Sequence, residues 1–221
     1  MPDRVVDSYR DAVAGLRRGD AVMLGGFGAA GVPLGLIAAG LALGVRDLTV
    51  IANNAGFGGA DLTSWIEAGM VSRVICSYPR TSPACVALWQ QGRLAVEVLP
   101  QGTLVERMRC AGAGLGGAVS VGTVLAEGKE SRVIDGREYV LELPLRADMA
   151  LIRAHRADRF GNLTYRMTAR NFAPMMATAA KLVAAECAEL VEPGGIDPEH
   201  VVTPGIFVDR VVMQGSLAWR P

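Results

Sequence analysis

Through about residue 109, short apolar runs of strand length alternate with segments of helical length, and nothing else in the chain constrains its fold as much. The runs are Ala21–Leu24, Leu48–Ala52, Arg73–Ser77 and Ala95–Leu99. Between them the pattern predicts helices over Leu34–Leu43, Leu62–Ala68 and near Ala84–Gln91. Pro33 stands where a first helical turn accepts proline, and Asp61 is placed to cap the second of these helices. Ahead of the first strand, Val5, Val6, Tyr9, Val13 and Leu16 share one face of an amphipathic opening helix that Gly19-Asp20 ends. After Pro100-Gln101-Gly102, Thr103 and Glu106 have the spacing of a capping box that starts another helix. Such alternation indicates a mostly parallel sheet with helices on both faces.

The pattern then changes. Arg132–Ile134 and Arg137–Leu143 flank Asp135-Gly136, a favoured two-residue hairpin turn. Met149–Ala154 and Leu163–Arg166 read as strands around a turn at Arg159–Asn162, followed by a helix over Ala169–Ala180 and a strand near Leu182–Glu186. The expected fold class is therefore α/β, a mostly parallel sheet with an antiparallel hairpin extension. With no repeat, low-complexity linker or charge run, residues 1–221 are expected to form a single domain.

Composition narrows the function classes. Hydrophobic residues make up 51% and charged residues 20%, which suits a sizeable core and excludes a disordered chain. Lys and Arg number 22 against 22 Asp and Glu, so there is no basic footprint for nucleic acid or anionic lipid. The charged N-terminus has no signal-peptide core, and the longest apolar runs fall short of a membrane span, so a cytoplasmic protein is expected. Cys76, Cys85, Cys110 and Cys187 show no CxxC spacing and are expected to be buried free thiols. His155 and His200 form no metal or triad pattern; no metal site is expected, and solvated or structural roles are expected for both. Phe172, Met175, Met176 and Ala179 follow helical spacing and read as core.

The first strand runs into Gly25-Gly26-Phe27-Gly28-Ala29-Ala30-Gly31, which contains the GxGxxG pattern of dinucleotide sites. That fingerprint needs an acidic residue at the far end of the second strand. Asp47 stands instead at that strand's start, and Asn53-Asn54 occupy its end, so a nicotinamide site is disfavoured. The general physics remains: glycines admit a ligand to the backbone, and a helix N-terminus offers unpaired N–H groups to a phosphate, pyrophosphate or carboxylate. The alternative is a tight turn that only packs helix against strand.

Six blocks carry a resemblance: GGFGAAGVP, IANNAG, VLPQGTLVERMRCAGAG, GTVLAEGKE, LPLRADMALIRAHRADRFGNLTYRMTARNF and DPEHVVTPGIFVDRVV. In this order they resemble the A (alpha) subunits of family I 3-oxoacid CoA-transferases, from about residue 5 to 213. CSYPRTS and GNLTYR lean toward the 3-oxoadipate branch over the acetoacetate branch. The resemblance implies a CoA-transferase-like fold that moves CoA from an acyl-CoA, succinyl-CoA in the first instance, to a 3-oxoacid through a covalent glutamyl-CoA intermediate. In two-chain members the glutamate belongs to a B (beta) subunit, in a motif of the S-E-N-G type. No such motif surrounds any of this chain's eleven glutamates. Glu106 reads as a capping residue, and Glu127 and Glu130 as parts of a solvated turn. The implied partner is a B subunit in an A–B pair or an A2B2 heterotetramer. CoA is then a substrate, and no permanently bound cofactor is expected.

The resemblance also implies site roles. Gly25, Gly26, Phe27, Gly28, Ala29, Ala30 and Gly31 match the presumed CoA loop, and Asn53, Asn54 and Gln101 sit at strand ends beside it. Neutral amides can donate to a developing oxyanion without pairing permanently with a substrate carboxylate; Gln101 is the foremost candidate. Their other reading is as ties for loop backbone. Arg80, after the third strand, is a candidate for the second carboxylate of 3-oxoadipate, or else a surface arginine. One departure stands out: Gly112–Thr123 is shorter than the family's corresponding loop and lacks its aromatic residue and proline. Competing readings are a self-sufficient phosphosugar isomerase-like enzyme or hydrolase of related fold, and a non-catalytic acyl-CoA-binding or sensor protein.

Overall fold

The computed structural model of the protein describes residues 2–121 and 127–215. Its main sheet is built from β1 (Ala21–Leu24), β2 (Leu48–Asn54), β3 (Val71–Tyr78), β4 (Ala95–Val98), β8 (Ala147–Asp158), β9 (Leu163–Thr164), β10 (Ala180–Val191) and β11 (Arg210–Met213). The order is β11-β10-β8-β1-β2-β3-β4 with every neighbouring pair parallel, and β9 pairs antiparallel with β8. A separate three-stranded antiparallel sheet holds β5 (Ala118–Val121), β7 (Arg137–Glu142) and β6 (Ser131–Ile134). The β6–β7 turn is Asp135-Gly136, both at positive φ (49° and 76°), as a two-residue hairpin requires.

Side chains alternate across the main sheet, so both faces bury apolar residues. Val22, Leu24, Val50, Ala52, Val74 and Cys76 share one core with α2 (Leu34–Leu43), α3 (Leu62–Glu67) and α4 (Pro83–Gln90). Met23, Ile51, Ile75, Ala150 and Ile152 share the other with α5 (Gln101–Gly112) and α6 (Ala173–Ala179). Trp65 is wholly buried, and its indole N–H donates to the Ile37 carbonyl at 2.8 Å, joining α3 to α2.

Several expectations are corrected. The opening helix shrinks to α1 (Tyr9–Ala12). Val5 instead forms a parallel bridge with Val211, and the Val6 N–H donates to the Val211 carbonyl at 2.9 Å, so these apolar residues extend the sheet edge. α5 begins at Gln101 itself, with Pro100 before it and no side-chain cap; Glu106 pairs with Arg109 at 2.8 Å rather than closing a capping box. β8 and β10 are each twelve residues long, well beyond their apolar stretches. Their charged residues are paired across the ladder, Arg153 beside Glu186 and Arg156 beside Glu189. The expected helix over Ala169–Ala180 is split into a 3-10 turn at Met167–Arg170 and α6, with Asn171 between them at φ 24° and ψ −120°. The shortened Gly112–Thr123 segment includes residues 118–121 of β5, and its last two residues lie outside the described residues.

Candidate functional site

The carboxyl ends of β1 and β2 meet at the glycine loop, against the middle of β8. Leu24 pairs with Ala52 on one side and Leu151 on the other. Gly25 continues the ladder by one residue, its N–H donating to the Leu151 carbonyl at 2.9 Å. The chain then leaves the sheet through Gly26, at φ 125°, where an added Cβ would lie 2.7 Å from a Val32 methyl. Phe27 and Ala30 exchange two backbone hydrogen bonds of 3.0 and 3.1 Å, closing a tight turn with Gly28 and Ala29 at its crest. Among the described residues the crest N–H groups of Gly28 and Ala29 have no partner.

This loop separates two clefts. Gly25, Gly26, Gly28, Asn53, Asn54 and Gly56 line the first, together with Asp61 and apolar residues from α2 and α3. Phe27, Gln101, Val105, Asn171, Phe172 and Met175 line the second, a cavity of about 180 Å³. The buried Asn53 amide forms no hydrogen bond among the described residues. Asn54 uses its side-chain carbonyl to accept from the Gly56 N–H at 2.9 Å. Asp61 brings a carboxylate to the first cleft, but it accepts from Phe57 N–H at 2.6 Å and Thr63 N–H at 2.8 Å, capping α3 as its position predicts.

Of the sequence candidates, the two clefts thus collect Gly25, Gly26, Phe27, Gly28, Asn53, Asn54 and Gln101 around one loop, while Ala29, Ala30 and Gly31 complete the loop. Arg80 stands apart. It is exposed on the 3-10 turn Pro79–Thr81 and opens on a shallow recess with Trp89 and Gln90.

The expected anion site at the N-terminus of α2 is overturned. Glu186, nearly fully buried on β10, accepts from Gly35 N–H at 2.9 Å and Leu36 N–H at 3.1 Å, so the donors that would face a phosphate are already occupied. Burial pushes the Glu186 carboxyl above its ordinary range, against the opposing effect of these hydrogen bonds, that from Gln214, and Arg153. The uncapped helix end at the site belongs to α5, which opens on the second cleft beside Gln101. Asp47 is excluded from a ribose-binding role as well, being paired with Arg18 at 2.5 Å at the far end of β2.

Asn171 is the residue that sequence reasoning misses. It lies inside one of the family-like blocks, but the periodicity around it places it within a helix. In the structure its Oδ1 accepts from Gly26 N–H at 3.2 Å and Phe172 N–H at 2.7 Å, and its Nδ2 donates to the Ala30 carbonyl at 3.1 Å. Phe27 and Phe172 stack with ring centroids 6.1 Å apart. The available signal is a polar, short-chain residue directly before an apolar helical stripe, the composition of a break in a helix.

The profile of the coenzyme A transferase family matches residues 6–214. The chain belongs to the coenzyme A transferase family. The A chain of the Pseudomonas putida 3-oxoadipate CoA-transferase is 53% identical to this CoA-transferase chain, over 99% of it and 96% of the relative. The alpha chain of the Escherichia coli K12 acetate CoA-transferase is 47% identical, over 93% and 95%. The solved glutaconate coenzyme A-transferase of Acidaminococcus fermentans superposes with a TM-score of 0.85 at 23% identity, covering 95% of this chain and 75% of that one, a likeness of fold.

All four cysteines of the CoA-transferase chain are buried free thiols, and burial pushes Cys76 and Cys187 up to about 12, which keeps them as inert thiols. Among the described residues there is no cluster of three metal-ligating side chains, and no helix is long and apolar enough to cross a membrane.

Proposed function

We propose that this chain is the A component of a heteromeric CoA-transferase that moves CoA from succinyl-CoA to a 3-oxoacid, 3-oxoadipate ahead of acetoacetate, through a glutamyl-CoA intermediate on a B subunit. The observation that carries the reading is a pair of clefts lined by glycines and neutral amides, with every nearby carboxylate committed elsewhere. Glu97 is held by Arg73 and Arg107, Glu106 by Arg109, Glu142 by Lys129, and Glu186 by the start of α2. Asp61 caps α3. A covalent route then needs its carboxylate from a partner chain, in keeping with the names of the relatives, which are single components of two-chain enzymes.

In this reading the chain supplies electrostatics and positioning. Attack on a thioester or acyl carbonyl concentrates negative charge on one oxygen, and preorganised neutral donors stabilise it. Gln101, beside the uncapped N-terminus of α5, and the crest N–H groups of Gly28 and Ala29 are such donors. Asn53 holds an unengaged amide at the neighbouring cleft. CoA enters and leaves as substrate, with no resident cofactor. The partners assemble as an A–B pair or A2B2 heterotetramer, and the buried thiols suit a reducing cytoplasm. For the second carboxylate of a dicarboxylic acceptor the candidate contact is Arg80. Arg80→Ala is expected to lower the preference for 3-oxoadipate over acetoacetate; an unchanged ratio removes Arg80 from the site.

The test is to purify this chain with its B-type partner and assay transfer from succinyl-CoA to each acid, with each chain also assayed alone. Activity confined to the mixture is the expected result, and the rate ratio assigns the acceptor. Activity from this chain alone would overturn the missing-nucleophile reading. A stable complex that binds CoA esters without exchanging them would favour a sensor.

A further inference from the structure

The glycine loop does not hold its own shape. Its turn has two feet, the Gly26 N–H and the Ala30 carbonyl, and both are gripped by one side chain from far along the chain, the Asn171 amide. The amide is saturated: Oδ1 takes Gly26 and Phe172, and Nδ2 shares its hydrogens among the carbonyls of Ala30, Thr168 and Ala169, each at 3.1 Å. A carboxylate could not donate, and a hydroxyl could not span both feet, so the chemistry calls for an amide on a short stem. The backbone there is correspondingly unusual, at φ 24°. Gly31 completes the fit, because a Cβ at that position would come within 2.7 Å of the Asn171 Nδ2 and 2.6 Å of the Ala169 carbonyl oxygen.

The same residue is joined to the other half of the site. Phe172 follows it directly, stacks on Phe27 of the loop, and shares the second cleft with Gln101. α6 starts at Ala173 and packs against α5, the helix that carries Gln101 at its first position; Leu104, Met108, Ala173, Met176 and Ala177 lie in one buried cluster. We propose that Asn171 is a positioning residue for CoA transfer, which fixes the crest donors of Gly28 and Ala29 relative to Gln101 so that both meet the same reacting oxygen. This rests on the reading of the loop and Gln101 as the acyl site. Positioning of this kind acts on the chemical step, since a displacement of about 1 Å in an otherwise intact site costs on the order of 100-fold in rate.

Asn171→Gly isolates the amide, because glycine adopts the positive φ at no steric cost and only the hydrogen bonds to the loop are lost. In the complex with the B subunit, kcat is expected to fall roughly 10- to 100-fold while KM for the acyl-CoA changes less than about threefold. The thermal midpoint is expected to stay within about 4 °C of wild type. Amide hydrogen exchange, followed by mass spectrometry, should accelerate in the peptide covering residues 25–31 and remain unchanged in β2. Wild-type kcat in the variant would overturn the proposal, as would a loss of activity that only tracks a loss of folded complex. If the wild-type pair itself transfers no CoA, the functional reading fails, and the exchange measurement still decides the clamp: unchanged exchange over residues 25–31 would sink it.

Discussion

The loop can be probed by adding the same methyl group at two of its glycines, Gly28 and Gly31. Both have left-handed backbones, with φ 58° and 73°, so alanine at either carries the strain of that conformation, about 1 kcal/mol. They differ in what the methyl meets. At Gly28 nothing lies within 4 Å. At Gly31 it would stand 2.6 Å from the Ala169 carbonyl oxygen and 2.7 Å from the Asn171 Nδ2, neither of which can retreat without breaking the grip on the loop. Overpacking of this kind costs about 2 kcal/mol more. For a chain of this size each kcal/mol lowers the thermal midpoint by about 3 °C. Gly28→Ala is therefore expected to melt about 3 °C below wild type and Gly31→Ala about 9 °C below, by circular dichroism on the purified chain and again on its complex. Equal midpoints for the two variants would refute the contact argument and leave only backbone strain. Activity should separate them in another way: Gly28→Ala places its methyl on the ligand-facing crest and should lose transfer with little loss of stability.

Two further predictions concern single side chains. Gln101→Ala in the A–B complex should lower kcat about 100-fold, as loss of one oxyanion donor does, with an unchanged melting temperature because Gln101 is exposed and uncapped; a change confined to KM would assign it to ground-state binding. Glu186→Gln should flatten part of the pH dependence of stability. The buried carboxyl is raised above its ordinary 4.5, so above pH 4.5 the unfolded chain loses this proton before the folded one does, and stability falls with rising pH up to the raised folded value. The variant lacks that slope, so in urea unfolding across a pH series the wild-type advantage should shrink with rising pH; an advantage that grows would refute the assignment.

Four strands, three helices and the hairpin of this fold are legible because each declares itself locally. A central strand buried on both faces reads as a short apolar run, and Asp135-Gly136 supplies the two positive φ angles of its turn. What local pattern misses depends on partners elsewhere in the chain. Arg153, Arg156, Glu186 and Glu189 look like the polar ends of two short strands, yet side by side in a parallel ladder they neutralise one another and both strands run on. Val5 and Val6 fit a helical face equally well, and only the presence of the β11 edge makes pairing the better use of them. At the site, Gly25–Gly31, Asn53, Asn54 and Gln101 are legible as strand-end positions, and the fold does bring them together. Arg80 follows from the same rule, but the 3-10 turn after β3 carries it toward α4.

The glycine pattern shows most plainly where local reading stops. GxGxxG after a strand describes how closely a ligand can approach the backbone, but what it binds depends on which N–H groups remain free. Two side chains about 150 and 145 residues away decide that here. Glu186 takes the first donors of α2, and a buried carboxylate at that helix end would repel a pyrophosphate as well as block it. Asn171 takes Gly26 N–H and leaves the crest donors exposed. A dinucleotide fingerprint is thereby converted into a turn that presents two amides away from its own helix and toward α5. The same glycines that would serve a phosphate in one fold are thus left, by two distant polar residues, to serve a single developing oxyanion in this one.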